Sequence, residues 1–228
     1  MATTLPGEFW PRRLRLLKRR TLWWPTWRCW VITSVIVLGI LYLAFRRLHP
    51  FLAVTQRVHA DTLIVEGWIP IYGLEAAQKE FTSGGYAYLV TTGGPLEVGS
   101  VLTGYDNYAE LSAAILRKLG FPDERVMAAA AAPTFRNRTY MAAMAAMQSL
   151  RESNRPTRGI NVFTLGTHGR RTWTVYQTLA PAGMPVGVIS LPSEDYDPNH
   201  WWHTSEGLKT VMTEGLGWLY EWLWSSGR

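Results

Sequence analysis

Apolar runs alternate with amphipathic stretches after the first quarter of the chain, and this alternation predicts strands separated by helices. The runs that predict strands cover residues 62–67, 87–92, 126–130, 160–165 and 186–191. The stretches with helical spacing cover residues 71–81, 105–119, 138–151, 171–179 and 205–224. Because strands joined by such helices pair in parallel, the pattern predicts an α/β, Rossmann-like three-layer domain with a mainly parallel five-stranded sheet over residues 61–228.

The last predicted helix repeats apolar side chains at helical spacing, and this stripe predicts the side of the helix that faces the core. The stripe consists of Met212, Leu216, Leu219, Tyr220 and Leu223. Trp218, Trp222 and Trp224 fall partly outside it. A contact of this end of the chain with a membrane is the alternative interpretation.

An uncharged segment over residues 29–45 predicts a membrane anchor. Its length falls within the range for a membrane-spanning helix, at the short end of that range. Arg28 precedes it, and Arg46 and Arg47 follow it. The long basic head and the arginine pair argue against a cleaved signal peptide. The predicted organisation is a basic cytoplasmic or interfacial segment (1–28), a transmembrane signal anchor (29–47), a connector (48–60) and the α/β domain (61–228).

Positive charge is concentrated ahead of the predicted domain. Residues 1–58 hold ten Lys and Arg against one acid, Glu8, whereas residues 59–228 hold thirteen against sixteen Asp and Glu. The excess ahead of the apolar segment predicts a cytoplasmic N-terminus and a domain outside the cytoplasm. Because the domain itself is slightly acidic, we expect no nucleic-acid partner. The single Cys29 allows neither an intrachain disulfide nor a zinc site built from several thiolates.

Polar side chains follow the predicted strands, at the edge where parallel α/β sheets bind ligands. Thr167, His168 and Arg171 lie on the turn from the fourth strand into a helix, whose N-terminus favours anions. We therefore predict recognition of a phosphate or a carboxylate, with Glu66 and His168 as candidate catalytic residues. The candidate ligand-binding residues are Trp68, Thr92, Gly93, Gly94, Arg138, Thr139, Thr167 and Arg171.

These residues also have structural interpretations. Gly93 and Gly94 form either a phosphate-binding loop or an ordinary turn, since the three-glycine dinucleotide fingerprint is missing. Glu66 is either a general base, the acidic partner of His168, or a carboxylate bonded by loop amides, and Arg170 is expected to be a surface charge. The sequence has no tight spacing of metal ligands, no Gly-x-Ser-x-Gly elbow and no Walker phosphate loop. We predict no metal site, and the cofactor is unassigned.

Several short motifs follow one another in a recognisable order. They are Leu63-Ile64-Val65-Glu66-Gly67-Trp68, Thr92-Gly93-Gly94, Arg138-Thr139-Tyr140, Thr164 with His168, Arg171 and Thr172, and Glu206 with Lys209. This set resembles the YdcF/SanA/ElyC family of bacterial proteins over about residues 61–215. An acid that the family carries after the glycine loop is missing, because Asn107-Tyr108-Ala109 stand there, and Glu66 is the candidate replacement.

The resemblance implies a Rossmann-like fold. For a membrane-anchored member it also implies the bacterial inner membrane and an extracytoplasmic role in envelope biogenesis, around peptidoglycan or its lipid carrier.

Two functions follow from these observations. In the first, the protein binds a small anionic or lipid-linked envelope intermediate and transforms it, as a hydrolase or transferase acting on a phosphorylated group. In the second, it is a non-catalytic, membrane-tethered scaffold that binds a glycan or an envelope protein through an exposed surface. That surface would comprise Trp201, Trp202, Asp195 and Asp197. The sequence leaves both functions open.

Overall fold

The helix α1 (Trp27–Leu52) is the first element of the computed structural model, which describes residues 25–96 and 100–225. The chain falls into two units, residues 1–43 and 44–228, and α1 contains the boundary. Among the described residues, α1 is the one helix that is long and apolar enough, by length and composition, to cross a membrane. Most of the predicted basic segment, up to residue 24, lies outside the described residues.

Five parallel strands form one sheet in the second unit. They are β1 (Thr62–Glu66), β2 (Tyr88–Gly93), β3 (Val126–Ala130), β4 (Ile160–Leu165) and β5 (Val186–Leu191). Their order is β3-β2-β1-β4-β5, and every neighbouring pair is parallel. The predicted fold class is confirmed. The strand order reverses between β1 and β4, which is where open α/β sheets form a ligand crevice.

Helices connect the strands and cover both faces of the sheet. They are α2 (Ile71–Gly84), α3 (Ser100–Thr103), α4 (Tyr108–Lys118), α5 (Arg138–Glu152), α6 (Gly169–Leu179) and α7 (Ser205–Ser225). Single 3-10 turns occur at Asp123–Arg125, Gly166–His168 and Trp201–His203. The short α3 lies in a stretch predicted to be a loop, and the other helices match the predicted ones to within a few residues.

The alternation of side chains along each strand builds a core on each face of the sheet. Leu63 and Val65 of β1 pack in the cluster that contains the buried face of α2 and α4. Ile64 packs in the other cluster, with α5 and α6. Glu66 continues this second face at the carboxyl end of β1, so the fold directs its carboxylate toward α6.

Two glycines allow α4 to approach the sheet closely. A Cβ atom at Gly67 would lie 2.5 Å from the carbonyl oxygen of Tyr108, and one at Gly93 would lie 2.6 Å from the Cβ of Tyr108. A Cβ at Gly94 would meet no atom within 4 Å. Of the glycine pair, Gly93 therefore serves helix packing and Gly94 faces open space.

The last turns of α1 belong to the second unit and pack into a third cluster, with Leu52 and Trp201 fully buried. The ring of Phe45 lies 4.5 Å from that of Trp201, and the Arg46 guanidinium lies 4.8 Å from the ring centre of Trp202. The expectation that Trp201 is part of an exposed binding surface is therefore wrong. Its indole is buried because the last turns of α1 pack against it.

Arg170 also contacts this end of α1, instead of being a free surface charge as predicted. Its Nε donates a hydrogen bond to the carbonyl of Phe51, and its guanidinium lies 4.0 Å from the centre of the Phe51 ring. A cation suits this position because the last carbonyl groups of a helix lack intrahelical donors and carry partial negative charge.

The connector that follows α1 is hydrogen-bonded to the sheet. Gln56 exchanges two backbone hydrogen bonds with Val188 of β5. The side chain of Asn161 in β4 accepts from the Val58 amide at 3.0 Å and donates to its carbonyl at 2.9 Å. These bonds join the connector to β4 and β5.

The apolar stripe of α7 faces outward, so the prediction that it packs in the core is wrong. Its members are 42–65% exposed, and they are Met212, Leu216, Leu219, Tyr220 and Leu223. The side turned to the domain includes the buried residues Gly207, Val211 and Glu221. Periodicity identified the stripe, but it does not state which side of a helix faces the core.

Candidate ligand-binding cleft

A cleft of about 1060 Å³ lies at the carboxyl edge of the sheet. The segments that follow β1, β2, β3 and β4 line it, together with α7. Nine of the ten site residues named from the sequence are in its lining: Glu66, Trp68, Thr92, Gly93, Gly94, Arg138, Thr139, His168 and Arg171. Thr167 is the exception, since its side chain is buried and does not contribute to the lining.

Glu66 lies at the floor of this cleft and is almost completely buried. Its carboxylate accepts hydrogen bonds from the hydroxyls of Thr164 and, at 3.1 Å, Thr172. Burial alone would raise its pKa, but the charge and hydrogen bond of His168 and the two hydroxyls outweigh burial and lower it. A carboxylate held by several donors is a poor base, so the geometry favours the interpretation of Glu66 as the acidic partner of His168.

His168 lies between two carboxylates. Its Nε2 is 3.4 Å from Oε1 of Glu66, and its Nδ1 is 3.0 Å from Oε1 of Glu214. Burial lowers the pKa of His168, but the two carboxylates outweigh burial and raise the pKa to about 9. The imidazole is therefore protonated at neutral pH, and both ring nitrogens are donors.

Arg171 completes the cluster by binding Glu214 with both arms of its guanidinium. Nε donates to Oε2 at 2.9 Å, and Nη2 donates to Oε1 at 3.0 Å. Burial raises the pKa of Glu214, but hydrogen bonds and charge from His168 and Arg171 lower it to about 2. Because Nδ1 of His168 is protonated, its 3.0 Å separation from Nη2 of Arg171 reflects a shared acceptor, Oε1 of Glu214.

The four charged groups of this cluster balance. Glu66 and Glu214 are ionised, and His168 and Arg171 are cations, so the cluster has no net charge. The sequence predicted a basic site at the exit of β4, and that expectation missed the acid that α7 supplies. A ligand at this end of the cleft meets an ordered array of paired charges.

The opposite end of the cleft follows β2 and β3. The hydroxyl of Thr92 donates to the carbonyl of Ala142 in α5 at 2.8 Å, so it fixes α5. Arg138 is the first residue of α5, where the helix dipole also favours an anion. Thr139 follows it and is buried. This end of the cleft therefore combines a helix N-terminus with a cationic side chain.

The lining also contains residues that were not named as site residues from the sequence, among them Phe135, Glu214, Tyr220 and Glu221. Glu214 and Glu221 are seven residues apart, which places both on one side of α7. This spacing is a signal that could have identified an acidic face. The leucine stripe on the other side of α7 is the stronger pattern in the sequence, and it predicts the opposite facing of the helix.

Among residues 25–96 and 100–225, no group of three or more His, Cys, Asp or Glu side chains is arranged to hold a metal ion. His200 and Asp197 form an exposed pair, with Nδ1 2.7 Å from Oδ2, outside the lining of the cleft. The chain matches no protein-family model, and no curated protein is significantly similar to it.

His168 is the candidate proton donor of the cleft, because two carboxylates raise its pKa to about 9. His168 carries its proton at neutral pH, and Glu66 holds the imidazole in position. The edge of Trp68 contacts His168, with ring centres 5.2 Å apart, and covers one side of it. A general acid of this kind protonates a leaving group when a bond to oxygen or nitrogen breaks.

Proposed function

We propose that this protein is a membrane-anchored, extracytoplasmic domain whose cleft binds a small ligand with an anionic group. The observation that carries the proposal is the convergence of four strand exits on one cleft whose floor holds a buried histidine between two carboxylates. In this proposal the chain is a divergent member of the YdcF/SanA/ElyC family, acts in bacterial envelope biogenesis and is held in the inner membrane by α1, with its N-terminus in the cytoplasm.

The anionic group would lie at the Arg138 end of the cleft. Three strand spacings separate the exits of β3 and β4, which is about 14 Å at the spacing of neighbouring strands. Arg138 stands at the N-terminus of a helix of 15 residues, where the helix dipole favours an anion. A phosphate at Arg138 would direct the rest of the ligand toward His168 and the acids of α7.

The proposed reaction is hydrolysis or transfer on the phosphorylated ligand, at a bond that lies beside His168 and away from the phosphate. Water or an acceptor hydroxyl would form the new bond while the bond to the leaving oxygen breaks. His168 would give that oxygen one of the two protons that it shares with Glu66 and Glu214, and the proton of the attacking group would pass to solvent. Glu66 and Glu214 would position the imidazole and stabilise its charge before the transfer. Turnover would then require the protonated histidine, so it would decline as the pH rises through about 9. A rate that rises through the same range would contradict the acid role.

The test of ligand binding uses the full-length protein in detergent, with inorganic phosphate, pyrophosphate and a polyprenyl phosphate as probes. We expect a probe to raise the thermal midpoint of the wild-type protein, with the increase lost in Arg138→Ala. Arg136→Ala is the matched control, because Arg136 is two residues away and does not line the cleft. No stabilisation by any of these anions, or equal stabilisation of both variants, would contradict the proposal.

A further inference from the structure

The outward side of α7 is an uninterrupted aliphatic stripe. At 100° per residue, Leu208, Met212, Leu216, Leu219 and Leu223 fall within an arc of about 80°. Each of these side chains is 42–65% exposed. Among the described residues of α7, no Asp, Glu, Lys or Arg lies inside that arc. Single exposed leucines are ordinary on protein surfaces, but a stripe over four turns is not.

Two of the four charged residues of α7 are directed the other way, whereas Glu206 and Lys209 in its first turns form an exposed pair. Glu214 binds His168 and Arg171, and Glu221 is buried and lines the cleft. A surface helix of a soluble protein places its apolar side inward and its charges outward. Residues 211–223, whose charged side chains are Glu214 and Glu221, show the reverse arrangement, which suits a helix with an apolar environment on its outer side.

α7 packs against residues 48–52, which follow shortly after the uncharged segment 29–45. Gly215 faces Leu48 and Leu52, and the ring of Trp218 lies 4.9 Å from that of Phe51. At 1.5 Å per residue, positions 48–52 lie about 5–10 Å along the helix beyond Phe45. The headgroup layer of one leaflet is about 5–8 Å thick.

We propose that the outward stripe of α7 rests on the lipid surface of the membrane that holds α1, as a second and interfacial contact. The inference rests on the anchor in the proposed function. If residues 29–45 of α1 span the membrane, positions 48–52 lie at the headgroup layer. Tyr220 forms one edge of the stripe and Trp222 lies beside its other edge, and these residue types are enriched at membrane interfaces. The contact would bring the wall of the cleft that carries Glu214 and Glu221 to the membrane.

The experiment places one fluorescent label at a time on the full-length protein. Cys29→Ser removes the single native cysteine, and Leu216→Cys or Leu219→Cys introduces a label on the stripe. Thr213→Cys is the matched control, because position 213 is exposed on the same helix but lies outside the stripe. Leu38→Cys reports on α1. Each protein is reconstituted in phosphatidylcholine–phosphatidylglycerol vesicles, with or without lipids that carry a nitroxide quencher high on the acyl chain.

We expect the nitroxide lipids to quench labels at positions 216 and 219 several-fold more than the label at position 213. Leu223→Asp should weaken the quenching at position 219, because a charge at the stripe opposes contact with lipid. Retained thermal unfolding would show that this variant is folded.

Equal quenching at positions 213, 216 and 219, with strong quenching at position 38, would overturn the interfacial contact and leave the anchor in place. Absence of quenching at position 38 would overturn the anchor and this inference together. Disulfide cross-links between copies through position 216, without quenching by lipid, would overturn the inference and assign the stripe to contact between copies.

Discussion

His168 is the residue on which the charge balance of the cleft depends. Its imidazolium separates two buried carboxylates, so its removal leaves Glu66 and Glu214 without a shared cation. We expect His168→Gln to lower the free energy of unfolding by roughly 3–5 kcal/mol, as is typical when one partner of a buried ion pair is removed. Urea unfolding of the full-length protein in detergent would measure it.

The matched control is His200→Gln. His200 also pairs with a carboxylate, that of Asp197, but this pair is exposed, and exposed pairs contribute little to stability. We therefore expect little change in the unfolding midpoint of this variant. An unfolding midpoint that changes as little in His168→Gln as in His200→Gln would show that the buried cluster does not stabilise the domain.

The same residue makes stability depend on pH in a defined window. The pKa of His168 is about 9 in the folded protein and 6.5 as the ordinary value, so the folded state holds the proton more tightly. Its stabilising contribution is complete below pH 6.5 and is lost as the pH rises to about 9. At 1.36 kcal/mol for each pKa unit, the loss amounts to about 3 kcal/mol. Unfolding measured at both ends of the window should show this loss in the wild-type protein, and His168→Gln should lack it.

At the residue scale, the sequence could predict which strand exits meet but not every partner in them. Glu66 and His168 end neighbouring parallel strands, so their proximity follows from the fold once the strands are recognised. Glu214 comes from a helix that follows the last strand, and its place depends on how that helix packs. The neutral charge of the cluster could not be predicted without this acid.

At the element scale, the approach of α4 to the sheet depends on a missing side chain. Gly93→Ala places a methyl group 2.6 Å from the Cβ of Tyr108, and overpacking of this kind costs about 1–3 kcal/mol. Gly94→Ala is the adjacent control, since its methyl group would meet no atom within 4 Å. Denaturant unfolding should show a loss for the first variant and little change for the second. A loss of the same size in both would indicate a shared backbone effect.

The strands of the sheet could be predicted more reliably than the side of α7 that faces the core. The strands β3, β4 and β5 begin and end at the predicted residues, because buried apolar runs bounded by turn residues are strong local signals. The stripe of α7 is an equally strong signal for a helix. Whether the stripe faces the core or the outside depends on how α7 packs in the tertiary structure, since an aliphatic face suits a protein core and a lipid surface alike.

At the scale of the whole molecule, membrane retention should depend on α1. Leu38 lies near the middle of the uncharged segment, where an arginine costs about 3 kcal/mol on insertion scales. We expect Leu38→Arg to reduce the fraction of full-length protein that remains in membranes after an alkaline carbonate wash. Thr213→Arg, which adds the same charge to an exposed position of α7, should not reduce it. Unchanged retention of the Leu38 variant would contradict the anchor.

The packing of α1 against Trp201 also determines where the protein can be truncated. A fragment that starts at residue 59 lacks Phe45, Leu48 and Leu52, which cover Trp201 and Val211. Its newly bare indole would promote aggregation and dye binding, whereas a fragment that starts at residue 44 keeps the cover. We expect size-exclusion chromatography to give a monodisperse peak for the longer fragment and aggregates for the shorter one. For expression and crystallisation, α1 and the α/β domain therefore share the nine residues 44–52, which cannot be assigned to the apolar helix alone.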